Sequence, residues 1–165
     1  MLESFANTLE TISKKEGEWM SFIIYPLLLI VVYEVFMRYA FNAPTSWGFE
    51  ATTFLYGLHY MFGFAYTDVH DGHVKVDIFT TLFSTKKQTL MKILTNIVFF
   101  MPVMIPMTIW AFKFAYTSMI GLEVNSTSWA PPIWPLKILM AVCFLFLLLQ
   151  GIANLINDIN ALTKK

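Results

Sequence analysis

The sequence predicts an all-α integral membrane protein, with four transmembrane helices in an antiparallel bundle and both termini in the cytoplasm. Three observations predict it. First, 57% of the 165 residues are hydrophobic and 13% are charged, against roughly 25% charged in an ordinary soluble domain. Second, the apolar residues gather into four continuous runs joined by short polar links. Continuity without alternation selects helices over the strands of a membrane barrel. Third, the basic residues divide unevenly between the two sets of links. With the N-terminus inside, Lys14, Lys15, Lys75, Lys86, Lys87, Lys92, Lys164 and Lys165 are cytoplasmic, and Arg38, Lys113 and Lys137 lie outside, eight against three of the eleven.

The elements follow in order. Residues 1–18 form a polar, amphipathic segment in which Leu2, Phe5, Leu9 and Ile12 recur at helical spacing. It reads either as a short helix on the membrane surface or as a plain leader, and it lacks the basic start and short apolar core of a secretory signal. The membrane domain is expected over residues 19–160, with spans at about 19–40, 47–69, 93–116 and 135–156, followed by a cytoplasmic tail at 161–165. Each span is long enough to cross a hydrocarbon core of about 30 Å.

Local punctuation supports these bounds. Pro44 precedes the second span, with Ser46 as the candidate N-cap. Pro102 and Pro106 lie inside the third span and free the carbonyls of Val98 and Pro102, which predicts a kink. That helix is expected to run past both ends of its span. Gly57 and Gly63 are expected to let another helix approach the second span closely. Trp129-Ala-Pro-Pro-Ile-Trp-Pro makes a stiff outer segment, and Pro135 suits the first turn of the fourth span. Trp19 marks the inner boundary, and Trp47, Trp129 and Trp134 the outer one.

The formal net charge is zero, which gives no basis for a nucleic-acid partner. Cys143 is the sole cysteine, so no disulfide forms within the chain. No nucleophile triad, phosphate-cradling glycine loop or zinc-type motif is present. The expectation is therefore a non-enzyme with no catalytic, cofactor-binding or metal residues. Asn125-Ser126-Thr127 matches a glycosylation acceptor and is set aside as a chance triplet.

Charge is costly inside a membrane, so the polar residues of the spans need explaining. Glu34 and Arg38 are one helical turn apart near the outer end of the first span, at ion-pair spacing. Glu50, across the short link, lies within reach of Arg38. The three read either as a substrate or ion site or as a cluster that fixes the first hairpin. The structural reading is favoured because none sits at the bilayer centre. His59 is the most deeply placed ionisable residue. A haem needs a second deep histidine, which the chain lacks, so an interhelical hydrogen bond is the expectation. The inner link Asp68-Val-His-Asp-Gly-His-Val-Lys-Val-Asp77 mixes acids and histidines without metal-ligand spacing.

Arg38-Tyr-Ala-Phe-Asn42, Pro44-Thr-Ser-Trp47, Glu50, Gly63 and Asp71-Gly-His-Val-Lys-Val-Asp77 together resemble the small, DctQ-like membrane subunit of tripartite ATP-independent periplasmic (TRAP) transporters. Trp134-Pro-Leu-Lys137 and Leu-Leu-Gln150-Gly extend the likeness over roughly residues 20–155. The resemblance implies a bacterial inner-membrane complex of three parts. A periplasmic binding protein captures an organic acid, a large permease subunit imports it with sodium, and this chain scaffolds the permease. It places Arg38, Asn42, Trp47 and Glu50 at the outer hairpin and Gly72, His73 and Asp77 in the inner motif. One departure is Gly48-Phe49 before Glu50, where relatives often have a second acid.

The residues alone point the same way. A complete carrier needs a midplane site built from repeats or broken helices, and neither is visible. Two other readings compete: a self-sufficient small dimeric exporter, and a respiratory membrane anchor.

Overall fold

The computed structural model describes residues 2–70, 72–74 and 80–163. It is all-α: α1 (Leu2–Ser21), α2 (Ile24–Ala40), α3 (Gly48–Val69), a 3₁₀ turn (Thr80–Leu82), α4 (Thr85–Thr95), a π-helical turn (Asn96–Phe100), α5 (Met101–Ile120) and α6 (Trp134–Thr163). Asp77, named above in the inner motif, lies outside the described residues, as do Lys75, Lys164 and Lys165.

Among the described residues, three helical stretches are long and apolar enough to cross a membrane: Ser4–Ala40, which spans α1 and α2, Thr85–Ile120 and Trp134–Thr163. The sequence predicts four. The difference is α3. Its 22 residues reach about 33 Å, but Thr52, Thr53, Gly57, His59 and Gly63 dilute its hydropathy. It is instead sheltered by α1, α2 and α6, all of which pack on it.

The first expected span, 19–40, is not one helix. α1 ends at Ser21 and α2 begins at Ile24, because Pro26 brings no amide hydrogen to the carbonyl of Phe22. Tight bonds from the Phe22, Ile23 and Tyr25 amides to the Trp19, Met20 and Phe22 carbonyls bridge the break. The third span extends past both ends, as expected, into one 36-residue helix. At the prolines it widens. The Met101 amide donates to the carbonyl of Asn96, and this π turn makes room for Pro102 just beyond it.

Packing is inverted relative to a soluble bundle. In α1 the enclosed positions are Ala6, Leu9, Ser13 and Gly17, while Phe5 and Ile12 are exposed. In α5 they are Met104, Thr108, Ala111, Ala115 and Ser118. In α6 they are Ala141, Cys143, Gln150, Gly151 and Ala153. Small residues let backbones approach and maximise van der Waals contact, while the bulky residues face outward, where lipid solvates them. Ala6 and Leu9 pack on Ala153, and Ala111 and Ala115 pack on Ala141. The α5–α6 pair is antiparallel: Thr108 donates weakly to the Phe144 carbonyl at 3.4 Å and Asn96 to the Gly151 carbonyl at 3.1 Å. No residue of α2 is buried.

Gly57 and Gly63 correct the expectation of close approach, since a Cβ added at either would meet nothing within 4 Å. Gly17, Gly48 and Gly151 are the crowded glycines instead.

The α5–α6 link begins with a helix cap of unusual composition. The Glu123 amide donates to the Ser118 carbonyl and the Leu122 amide to that of Met119, both at 3.1 Å. This is the Schellman pattern, whose left-handed residue is usually glycine. Here it is Leu122, at φ 43°. A left-handed conformation costs a β-carbon residue about 1–2 kcal/mol, and glycine's unfolded-state entropy returns about half of that. Leu122→Gly is therefore expected to stabilise the chain by about 0.5 kcal/mol. A fall in the melting temperature of the detergent-solubilised variant would refute the cap.

Candidate functional site

Apart from His59, the described polar residues singled out from the sequence fall at two ends of the bundle. At the first end, Glu34 organises the α2–α3 turn. It accepts from Arg38 Nη2 at 3.0 Å, from the Thr45 amide at 3.2 Å and from the Thr45 hydroxyl. The Thr45 oxygen then accepts from the Gly48 amide at 3.1 Å. Thr45, rather than Ser46, thus satisfies the start of α3, because the Glu34 carboxylate holds its hydroxyl there. Asn42 has its own task. It adopts φ 52° after α2, while the Ala43 amide donates back to the Met37 carbonyl at 3.1 Å. Asparagine tolerates this conformation better than most residues.

Glu50 does not join Arg38. It is buried and accepts from Asn125 Nδ2 at 3.1 Å, which ties α3 to the α5–α6 link. Trp47 stacks on Tyr33 at 6.0 Å between ring centroids and meets Trp129 at 6.4 Å. Two hairpins are therefore locked together at one end, by Glu50–Asn125 and by Trp47–Trp129. Sequence reasoning missed Thr45 and Asn125. No spacing rule relates Asn125 to Glu50, and the glycosylation pattern around Asn125 drew attention elsewhere.

Gly48 is tightly enclosed. A Cβ there would lie 2.7 Å from Glu34 Oε2 and 2.7 Å from Thr45 Oγ1. The Glu34 carboxylate and the Thr45 hydroxyl fill the space that a side chain at Gly48 would take.

The same end holds a Lys137–Glu123 ion pair. Glu123 also accepts from the Ser118 hydroxyl at 2.6 Å, and the Lys137 ammonium sits 4.0 Å above the centre of the Phe114 ring. The hydrogen bond from Lys137, then that from Ser118, holds the Glu123 carboxyl below its ordinary 4.5. A depressed folded-state value means the unfolded chain takes up the proton first. The stabilisation is therefore complete above about pH 4.5 and lost as pH falls through the folded value. Thermal midpoints should drop on acidification below that pH, and the Glu123→Gln variant should show a shallower drop. Identical acid profiles would disprove the assignment.

Midway along α3, His59 Nδ1 lies 3.3 Å from the Met20 carbonyl. This is the interhelical bond expected of it, made at the α1–α2 break to a carbonyl that also accepts from the Ile23 amide.

At the second end, His73 Nε2 lies 3.2 Å from the Phe64 carbonyl, and the Gly72 amide donates to the Thr67 carbonyl at 2.8 Å. Both fold the inner link back against the end of α3. A Cβ on Gly72 would press on Thr67 Cγ2 at 3.0 Å. Beside it runs a lattice that the sequence did not reveal. Gln150 donates to Asn154 at 3.1 Å, and Asn154 donates to Asp68 at 2.6 Å. Asn157 donates to Glu10 at 2.6 Å. These side chains join α1, α3 and α6. The asparagines at 154 and 157 carried no motif, and only their three-residue spacing on α6 hinted at a shared face. Among the described residues, no group of three His, Cys, Asp or Glu side chains is placed to hold a metal ion.

The arrangement works as a set of clamps. Glu34 sets a turn, Glu50 and Trp47 join two hairpins, His59 fastens a helix break, and Asp68 anchors an amide chain. Comparison with protein families gives a match over residues 27–161 to the family described as "Tripartite ATP-independent periplasmic transporters, DctQ component". Comparison with curated proteins gives no match.

Proposed function

Since the chain belongs to the DctQ family of tripartite ATP-independent periplasmic transporters, we propose that it is the accessory membrane subunit that scaffolds a large permease subunit. In this reading a periplasmic binding protein delivers an organic acid, and the permease imports it with sodium. The chain itself is not an enzyme. It sits in the bacterial inner membrane with four spans, α3 being the fourth, and with both termini cytoplasmic.

One observation supports the scaffold role above the others. Glu34, Glu50, Asp68 and Glu123 all bind partners within the chain, so these carboxylates serve helix attachment. The outward-facing apolar side chains of α2 and α5 offer a broad surface to lipid or to a larger membrane protein. An exporter built on a deep acid is less well supported, because Glu34 is held at the α2–α3 turn by Thr45. A haem-bearing anchor is less well supported, because His59 already meets the Met20 carbonyl.

Deleting this chain while retaining the permease and the binding protein is expected to abolish uptake and to lower recovery of membrane-inserted permease. Undiminished uptake would defeat the proposal. A haem absorption band in the purified complex would favour the anchor reading, and proton-coupled export by the chain alone in liposomes would favour the exporter.

A further inference from the structure

At the second end of the bundle a cleft of about 960 Å³ opens between α3, α4 with its π turn, and α6. Gln88, Lys92 and Thr95 line it from α4 at positions i, i+4 and i+7, so one face of that helix forms a wall. Asp68, Asn154 and Asp158 form the opposite wall, and Phe100 adds an apolar flank. The lining carries both signs of charge. Lys92 makes no salt bridge with another described residue, while Asp68 is met by one amide donor. A hydrogen-bond acceptor is also in surplus. Cleft-lining Asn96 leaves its Oδ1 without a partner. From the same face of the helix the exposed Met91 also lines the cleft, and with Phe100 it offers an apolar flank where acyl chains would lie.

A purely anionic group would meet Asp68 and Asp158, and a purely cationic one would meet Lys92. A surplus acceptor calls for a donor, and adjoining apolar side chains call for a lipid tail. We propose that this cleft binds the headgroup of a zwitterionic phospholipid with a primary ammonium, phosphoethanolamine, its phosphate toward Lys92 and its ammonium toward Asp68 and the Asn96 amide oxygen. The inference stands on the membrane reading alone. It needs neither the transporter assembly nor a choice of which end faces the cytoplasm.

The test is native mass spectrometry of the full chain released from nanodiscs of equal parts phosphatidylethanolamine, phosphatidylglycerol and phosphatidylcholine. Phosphatidylcholine lacks N–H donors and phosphatidylglycerol lacks the cation. Phosphatidylethanolamine should be retained about tenfold over both, the scale of one charge-assisted hydrogen bond. Lys92→Ala should lower retention and Lys92→Arg should restore it. Both changes sit on an exposed position of α4, so the bundle is left intact. Asp68→Asn should remove the preference over phosphatidylcholine. Equal retention of the three lipids, a preference for phosphatidylglycerol, or indifference to Lys92→Ala would overturn the proposal.

Discussion

Replacing Gly17 with leucine is expected to pull α1 away from the bundle. A Cβ at this position would sit 2.4 Å from Tyr66 Cβ and Cδ2 and 2.5 Å from Cγ. Tyr66 cannot relieve this by rotating, because its own Cβ is fixed to the backbone of α3. The helices themselves must separate, and with them go the neighbouring Ala6–Ala153 contact and the Asn157–Glu10 bond. Overpacking of this kind costs about 1–3 kcal/mol, and leucine should reach the upper end. Hydrogen exchange at α1 amides should accelerate and the melting temperature should fall. Gly57→Leu is the matched control, since nothing lies within 4 Å of its Cβ. Equal losses from both substitutions would show that Gly17 is not a contact glycine.

Gly48→Asp should be nearly as damaging, at the opposite end of α3. The new side chain would enter the space of Glu34 Oε2 and Thr45 Oγ1 and bring a second carboxylate against the first. The steric part alone is worth about 2 kcal/mol. Losing the Glu34–Thr45 bonds frees the turn and the Trp47–Tyr33 stack, so near-ultraviolet circular dichroism should change with the melting temperature. Gly48→Ala should cost less. Adding Glu34→Gln to Gly48→Asp should recover the repulsive part but not the steric part. A Gly48→Asp protein that melts with the parent would contradict the geometry.

The contrast between these glycines shows what the sequence could and could not convey. Apolar runs and proline positions located α2, α5 and α6, since insertion into lipid depends on composition over a whole window. Inward faces were harder. In α1 the periodic apolar residues split, with Phe5 and Ile12 exposed and Leu9 buried, and the rest of the buried stripe consisted of Ala6, Ser13 and Gly17. Hydrophobicity distinguishes inside from outside only where water is the outside, and in a bilayer residue size carries that information instead. At the candidate site, Glu34–Arg38 was legible because both partners share one helix at fixed spacing. Glu50–Asn125 and Asp68–Asn154 join elements far apart in the chain, and nothing local encodes such pairs.

The π turn at Asn96–Phe100 sets the angular phase of the whole 36-residue helix. Asn96 and Thr108 both bond to α6, yet the twelve steps from one to the other would, at about 100° each, leave them about 120° out of alignment on a regular α-helix. A π turn holds one residue more than an α turn and takes back roughly 100° of that rotation. The widened turn acts as a phase corrector, keeping two stretches of a single helix in register with the same neighbour.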